Sequence, residues 1–214
     1  MDGEEYRVSK EETVADKMMV KAMVAHQGQF REGTGHLPYI VHPASVVIRL
    51  KRWGYTEEKN PNVLAIGWGH DLLEDTEVPE WEIAALTNGE VLKGIKMLTF
   101  KPPKGIGDEE FDRLKADYIR EIAKKAPLDV LAVKLADRIC NAHDRLGGMS
   151  TEERAKAKET LEKGKALFAR LEELPCAAAV KGDLLDIEYA IKEGIDPKWA
   201  MDVWDSDYEL GTVY

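Results

Sequence analysis

The most informative stretch of the sequence is an apolar run that two polar residues interrupt: residues 62–75 read NVLAIGWGHDLLED. The apolar residues leave few positions for solvent, so residues 62–73 are predicted to form a mostly buried helix. An ionised carboxylate is costly to bury unless it is paired or bound to a metal. The position of His70 and Asp71 inside this run therefore needs a chemical explanation.

The segments on both sides of this run have the periodicity of helices, and no convincing strand is found. Helices are predicted over residues 13–25, 43–53, 79–86, 90–98, 109–126, 128–145, 151–174 and 178–191. Pro43 suits the first turn of its helix, and Thr151 is predicted to cap another. Residues 28–37 and 100–107 are predicted loops, the second a candidate mobile rim. The sequence therefore predicts an all-α protein.

The composition is that of an ordinary globular domain, with 214 residues, 44% hydrophobic and 33% charged. The formal net charge of −10 argues against polymeric DNA or RNA as a partner, although a local basic pocket can still bind a small anionic nucleotide. Cys140 and Cys176 lack the spacing of a thiolate metal site or a disulfide framework. No signal sequence or membrane span is recognisable, so we expect a cytoplasmic protein without membrane contacts.

Two further residues have a context like that of His70 and Asp71. His42 directly precedes Pro43 at a predicted helix entrance, and Asp137 follows an apolar run over residues 130–136. Together these side chains offer two imidazoles and two carboxylates, a set that suits Mn²⁺, Fe²⁺, Co²⁺ or Zn²⁺. Such a metal lowers the pKa of a water molecule and neutralises charge on a phosphoryl group, so we expect hydrolysis of a phosphate bond.

Glu74 and Asp75 follow Asp71 by three and four residues, which places them on its face if the helix continues. One carboxylate could orient or deprotonate a water molecule, and the other could carry a proton to the leaving group. The sequence does not divide these two roles between them. The competing interpretation is a solvated helix end.

The residues described so far, in this order, resemble the hydrolase domain of the RelA/SpoT stringent-response enzymes. The shared motifs are His42-Pro43, His70-Asp71 followed by Glu74-Asp75-Thr76, and Ala136-Asp137-Arg138 followed by Asn141. Residues 25–43 are also similar to the opening signature of that family. The resemblance covers residues 20–146 and implies an HD-domain helical bundle, for which we expect roughly eight to ten helices. We expect an HD-type phosphohydrolase domain over residues 1–174 and a helical C-terminal extension, residues 175–214, packed on it.

The resemblance implies a Mn²⁺-dependent hydrolase that removes the 3′-pyrophosphate from guanosine alarmones, (p)ppGpp, to give GDP or GTP. The family's metal ligands match His42, His70, Asp71 and Asp137, and its catalytic pair matches Glu74 and Asp75. Its nucleotide contacts match Arg31 and Asn141. In addition, Lys134 and Arg138 could supply positive charge for a pyrophosphate.

Departures from the family pattern leave the exact substrate open. Glu32 stands where many members have a second basic residue, and residues 33–36 lengthen the loop. After Asn141, the residues His143 and Asp144 also differ from the pattern. The alternatives are therefore a hydrolase of another nucleotide, such as NADPH or a deoxynucleotide, and a non-catalytic nucleotide sensor. Each implies a small nucleotide as the partner, and a homo-oligomer is not excluded.

Overall fold

The computed structural model describes residues 11–31, 37–146 and 150–194, which form ten α-helices and one 3₁₀ helix. The helices are α1 (Val14–Ala25), α2 (Val41–Arg52), α3 (Pro61–Gly69), α4 (Leu72–Asp75), α5 (Glu80–Leu86), α6 (Gly89–Leu98), α7 (Asp108–Lys125), α8 (Leu128–Asp144), α9 (Thr151–Lys163), the 3₁₀ helix η1 (Lys165–Glu173) and α10 (Ala177–Glu193). In these ranges the β-structure is limited to one bridge between Phe30 and Pro38. The all-α prediction is confirmed. None of the described helices combines the length and the apolar character needed to cross a membrane.

Helix α3 is the central helix of the bundle, and it packs against α1, α2, α6 and α8. Two of its glycines make this possible. A Cβ atom at Gly69 would lie 2.5 Å from Met18 Cε and 2.7 Å from Ile95 Cδ1. A Cβ atom at Gly67 would lie 3.0 Å from Leu50 Cδ1. The neighbouring helices can approach α3 this closely only because these positions have no side chain.

The single helix predicted over residues 62–73 is wrong in one respect, because it is interrupted at His70 and Asp71. Helix α3 ends at Gly69, and the one-turn helix α4 begins at Leu72. The apolar pattern continues through the break, since Leu72 and Leu73 are buried. Periodicity alone therefore could not reveal the junction.

Helices α9 and α2 also differ from the prediction at their ends. Ser150, and not Thr151, caps α9: its hydroxyl accepts from the Glu153 N–H, and the Glu153 carboxylate accepts from the Ser150 N–H. The helix predicted over residues 151–174 stops at Gly164 and continues as η1. At the start of α2, Pro43 lies in the first turn as predicted, although the helix begins two residues earlier, at Val41.

Helix α10 is anchored to α2 by a buried ion pair. The Asp183 carboxylate lies 2.6 Å from Arg49 Nη1 and accepts a hydrogen bond of 2.7 Å from Trp53 Nε1. Apolar residues of α10, such as Val180 and Ile187, also belong to the main core. The predicted domain boundary after residue 174 stays a prediction, and the aromatic tail over residues 195–214 lies outside the described residues.

Candidate metal centre and active site

Four polar side chains converge where α2, α8 and the junction between α3 and α4 meet. His42 Nε2 lies 3.3 Å from His70 Nε2 and 3.2 Å from Asp137 Oδ1. Asp71 Oδ2 lies 3.1 Å from His70 Nε2 and 3.6 Å from His42 Nε2. The remaining imidazole-to-carboxylate distance, from His70 Nε2 to Asp137 Oδ1, is 3.8 Å. The structure thus brings together all four residues that the sequence singled out as metal ligands.

These distances fit a divalent cation at the centre of the cluster. Donor atoms bind such ions at about 2.0–2.2 Å, so donors at right angles to one another are about 3 Å apart. The five distances above, 3.1–3.8 Å, are close to this value. One donor atom each from His42, His70 and Asp137 all lie within 4.8 Å of one another, a group that could hold a metal ion.

The charges of the cluster also suit a cation. Burial opposes ionisation of Asp71, but the nearby imidazoles outweigh it and lower the pKa of that carboxyl below its usual range. Burial likewise opposes ionisation of Asp137, yet Lys134, His42 and His70 keep its pKa well below the usual value. For His70, burial favours the neutral ring, but Asp71 and Asp137 raise its pKa to about 9. A metal ion would take the place of the proton that this field attracts.

Hydrogen bonds orient two of the donors toward the centre. His70 Nδ1 lies 2.7 Å from the carbonyl oxygen of Gly67, so Nδ1–H donates to it and the lone pair of Nε2 faces the cluster. Lys134 Nζ lies 2.9 Å from Asp137 Oδ2, which leaves Asp137 Oδ1 directed at His42. Lys134 is buried by this contact, so it acts on the carboxylate of Asp137 and does not line the open cleft described below.

Tyr39 is a site residue that the sequence did not single out. Its hydroxyl lies 2.7 Å from Asp71 Oδ2 and 2.6 Å from Asp75 Oδ2, so it links a donor of the cluster to a predicted catalytic carboxylate. The ring stacks on His26, with 4.6 Å between centroids. Gln29 completes the support, because its Oε1 accepts a hydrogen bond of 2.7 Å from His26 Nδ1–H and its Nε2 donates to the Asp75 carbonyl oxygen at 2.9 Å. The signal available in the sequence was a tyrosine three residues before His42, a predicted metal ligand near the start of a helix.

The predicted catalytic pair is divided between two environments. Asp75 belongs to the Tyr39 network, whereas Glu74 Oε2 accepts a hydrogen bond of 2.8 Å from the Phe100 N–H. Glu74 Oε1 lies 3.6 Å from Lys115 Nζ, which itself lies over the Phe100 ring. One helical turn does connect the pair to Asp71, the N-cap residue of α4, whose carbonyl oxygen accepts from the Glu74 N–H at 3.1 Å and from the Asp75 N–H at 2.8 Å. The two carboxylates nevertheless have different partners, and the predicted loop over residues 100–107 begins next to one of them.

An open cleft of about 830 Å³ adjoins the cluster. Its lining residues are Gln29, Phe30, Arg31, Tyr39, Asp75, Asn141, Asp144, Arg145, Glu153 and Lys156. Arg31 Nη2 donates to Asn141 Oδ1 at 2.8 Å and to Asp144 Oδ2 at 2.5 Å, so the two predicted nucleotide contacts adjoin each other in one wall. Asn141 also donates to Asp137. Arg138 lies against Gly164 instead of lining this cleft. Glu32 and the lengthened loop over residues 33–36 lie outside the described residues.

The helical bundle and the four converging side chains define a protein with the HD-domain fold of ppGpp hydrolases. A solved structure described as a metazoan ortholog of SpoT that hydrolyzes ppGpp matches with a TM-score of 0.66 and 22% sequence identity, covering 86% of this chain and 98% of the other. The resemblance to RelA/SpoT enzymes drawn from the sequence is thereby confirmed at the level of the fold.

Curated proteins similar in sequence have related names. The guanosine-3′,5′-bis(diphosphate) 3′-pyrophosphohydrolase of Spiroplasma citri is 30% identical over 172 residues, 78% of this chain and 21% of its own length. The probable enzyme of the same name from Mycoplasma pneumoniae is 28% identical over 167 residues, 75% of this chain and 21% of its own. The GTP pyrophosphokinase rsh of Brucella melitensis is 31% identical over 160 residues, 73% of this chain and 20% of its own. The chain thus spans about a fifth of these relatives. No protein-family model matches the sequence.

Proposed function

We propose that this protein is a Mn²⁺-dependent hydrolase that removes the 3′-pyrophosphate from guanosine alarmones. The observation that carries the proposal is the convergence of His42, His70, Asp71 and Asp137 on one point beside an open cleft. The names of the relatives in Spiroplasma and Mycoplasma support the choice of substrate. A cytoplasmic location follows from the same proposal, because such nucleotides are cytoplasmic metabolites of the stringent response.

The four converging side chains would hold the cation. When bound, the cation supplies Lewis-acid charge at a phosphoryl oxygen and lowers the pKa of the water molecule that it binds. In the reaction, water adds to the phosphorus attached to the 3′ oxygen, the bond between phosphorus and that oxygen breaks, and a proton passes to the 3′ oxygen. One water molecule is thus consumed, and ppGpp yields GDP and pyrophosphate.

The two catalytic carboxylates take different roles in this proposal. Asp75, held by Tyr39 within hydrogen-bond distance of Asp71, is next to the donor cluster and accepts the proton of the attacking water. Glu74, which contacts the Phe100 N–H and Lys115, takes up a proton from solvent and passes it to the 3′ oxygen, and Asp75 releases its proton to solvent, so the pair gains and loses none overall. Each carboxylate keeps its position through contacts that do not depend on the substrate.

The cleft supplies the nucleotide contacts. Its volume of about 830 Å³ is within the range of small-molecule sites, roughly 300–1,000 Å³. Arg31 and Asn141, which adjoin each other in one wall, would bind phosphate or ribose oxygens. Lys134 acts from outside this cleft, by pairing with the Asp137 carboxylate, and we assign neither Lys134 nor Arg138 a contact with the nucleotide.

Product analysis tests the proposal directly. The purified chain is incubated with Mn²⁺ and, separately, with ppGpp, pppGpp, NADPH and a panel of deoxynucleotides, and the products are separated by ion-exchange chromatography. We expect GDP and pyrophosphate from ppGpp, no products with a chelator, and no turnover in Asp71→Ala. Asp186→Ala is the control, because Asp186 is exposed on α10. Turnover of another nucleotide alone would refute the substrate, and Mn²⁺ binding without any turnover would leave a nucleotide sensor.

A further inference from the structure

The imidazoles of His42 and His70 differ in the hydrogen bonding of their Nδ1 atoms, which face away from the cluster. His70 Nδ1 has the Gly67 carbonyl oxygen at 2.7 Å. His42 Nδ1 is buried, and among the described residues it has no hydrogen-bond partner. Because His42 Nε2 points at Asp137 and His70, a neutral His42 ring that binds a cation through Nε2 must have its proton on Nδ1. With a cation bound at Nε2, the site would therefore contain a buried N–H group that needs an acceptor.

Asp144, in the wall of the cleft, has a carboxylate that could accept a hydrogen bond from His42 Nδ1–H. Its Oδ2 lies 3.9 Å from His42 Nδ1, about 1 Å beyond the length of a hydrogen bond. Asp144 is the last residue of α8, and it shares a helix face with Asp137 and Asn141, which precede it by seven and three residues. Its side chain is 28% exposed, so a rotation that closes the gap is not blocked by close packing on every side.

The same carboxylate oxygen is engaged by Arg31. Asp144 Oδ2 accepts from Arg31 Nη2 at 2.5 Å, and Arg31 also donates to Asn141. Arg31 lines the cleft, where an anionic substrate would compete with Asp144 for the guanidinium. Departure of Arg31 toward a phosphate would free the Asp144 carboxylate oxygen that lies 3.9 Å from His42 Nδ1.

We propose that Asp144 is a positioning residue of the metal centre, which accepts a hydrogen bond from His42 Nδ1–H when a cation binds at Nε2, and which does so more strongly when Arg31 turns from it to an anionic substrate. In this arrangement Asp144 fixes the tautomer and orientation of His42, as carboxylates behind ligand histidines generally do. The inference rests on the metal centre of the proposed function. It also implies that binding of an anionic substrate by Arg31 raises the affinity of the metal centre for its cation.

Mn²⁺ titration of the chelator-treated full chain, by calorimetry and by electron paramagnetic resonance, tests this role without any substrate. Asp144→Leu removes the acceptor, and we expect it to weaken Mn²⁺ affinity by about tenfold or more. Asp144→Asn keeps an acceptor oxygen, so we expect it to recover part of the loss. Arg31→Met releases the carboxylate, so its affinity should equal or exceed that of the wild type. Asp186→Leu removes a distant exposed charge as the matched control, and circular dichroism checks the fold of each variant.

The outcomes separate the two proposals. If the wild type binds Mn²⁺ and Asp144→Leu binds it equally well, the positioning role is refuted and the metal centre stands. If Asp144→Leu and Asp144→Asn lose the same amount of Mn²⁺ affinity, only the negative charge of Asp144 matters, and the positioning role is again refuted. If the wild type binds no Mn²⁺, the metal centre fails and both proposals fall. In the Zn²⁺-loaded protein, the ¹⁵N spectrum of the His42 ring should show a protonated Nδ1 that exchanges faster with solvent in Asp144→Leu.

Discussion

Replacing Tyr39 by phenylalanine isolates the contribution of one hydroxyl to the proposed reaction. The hydroxyl lies between Asp71 Oδ2, at 2.7 Å, and Asp75 Oδ2, at 2.6 Å. The ring makes separate contacts, stacking on His26 and meeting the His42 ring edge to face. Phenylalanine keeps these ring contacts, so Tyr39→Phe should change the position of Asp75 without unfolding the site.

The expected loss in kcat follows from the single hydrogen bond that the Tyr39 hydroxyl can donate. A hydroxyl has one proton and donates to one carboxylate at a time, and a hydrogen bond to a charged group contributes about 1.5–3 kcal/mol. Since about 1.4 kcal/mol corresponds to a factor of ten in rate, we expect kcat to fall by about ten- to a hundredfold. The effect should appear in kcat more than in KM, because Tyr39 acts through Asp75 on the reacting water. Steady-state pyrophosphate release at saturating Mn²⁺ measures both constants.

Tyr55→Phe is the matched control for the loss of a buried tyrosine hydroxyl. The Tyr55 hydroxyl contacts Cys176 Sγ, at 3.8 Å, and no carboxylate of the site. This variant should keep the kcat of the wild type. If Tyr39→Phe also retains kcat within about threefold, with unchanged Mn²⁺ affinity and thermal stability, the link between Asp71 and Asp75 is irrelevant to catalysis, and the role given to Asp75 is wrong.

Three further predictions concern the packing that supports the site. Gly69→Ala should lower the free energy of unfolding in urea by about 1–3 kcal/mol, because its Cβ has no space. Gly182→Ala, where a Cβ atom meets nothing within 4 Å, should raise it by up to about 1 kcal/mol, and equal effects of the two changes would contradict the packing of α3. Asp183→Ala leaves the buried Arg49 without its carboxylate and should cost about 3–5 kcal/mol in the same assay, whereas a loss below about 1 kcal/mol would show that the ion pair does not anchor α10. Burial raises the pKa of the Cys140 thiol to about 11, so it should resist a thiol reagent at pH 8 until urea is added, and rapid labelling of the native protein would refute this placement.

The sequence predicted the helices well because their cores are periodic over many residues. It also predicted which four side chains would meet, because ionisable groups inside apolar runs, such as Asp71 and Asp137, have few reasons to be there other than a shared ligand. The resemblance to RelA/SpoT enzymes supplied their order. These inferences depend on local sequence and on motif order, both of which can be read without knowing how the helices pack.

The features that the sequence did not reveal depend on contacts between distant segments. The break at His70 is invisible to periodicity, since Leu72 and Leu73 continue the apolar pattern into the core. The hydroxyl of Tyr39 reaches Asp71 and Asp75 across 32 and 36 residues of sequence. Such contacts are determined by the packing of α2 against α3, which no local pattern specifies.

The charges of the cleft explain why the cation and Arg31 should act together. Among the described lining residues, the three cationic side chains, Arg31, Arg145 and Lys156, are matched by three carboxylates, Asp75, Asp144 and Glu153. These described side chains therefore give a substrate with several phosphates no excess of positive charge while no cation is bound and Arg31 stays paired with Asp144. A bound cation adds positive charge at one end of the cleft, and release of Arg31 from Asp144 adds a guanidinium at the wall. Because the released carboxylate can then support His42, the step that creates the anion site also strengthens the metal site, and neither event needs to move a helix.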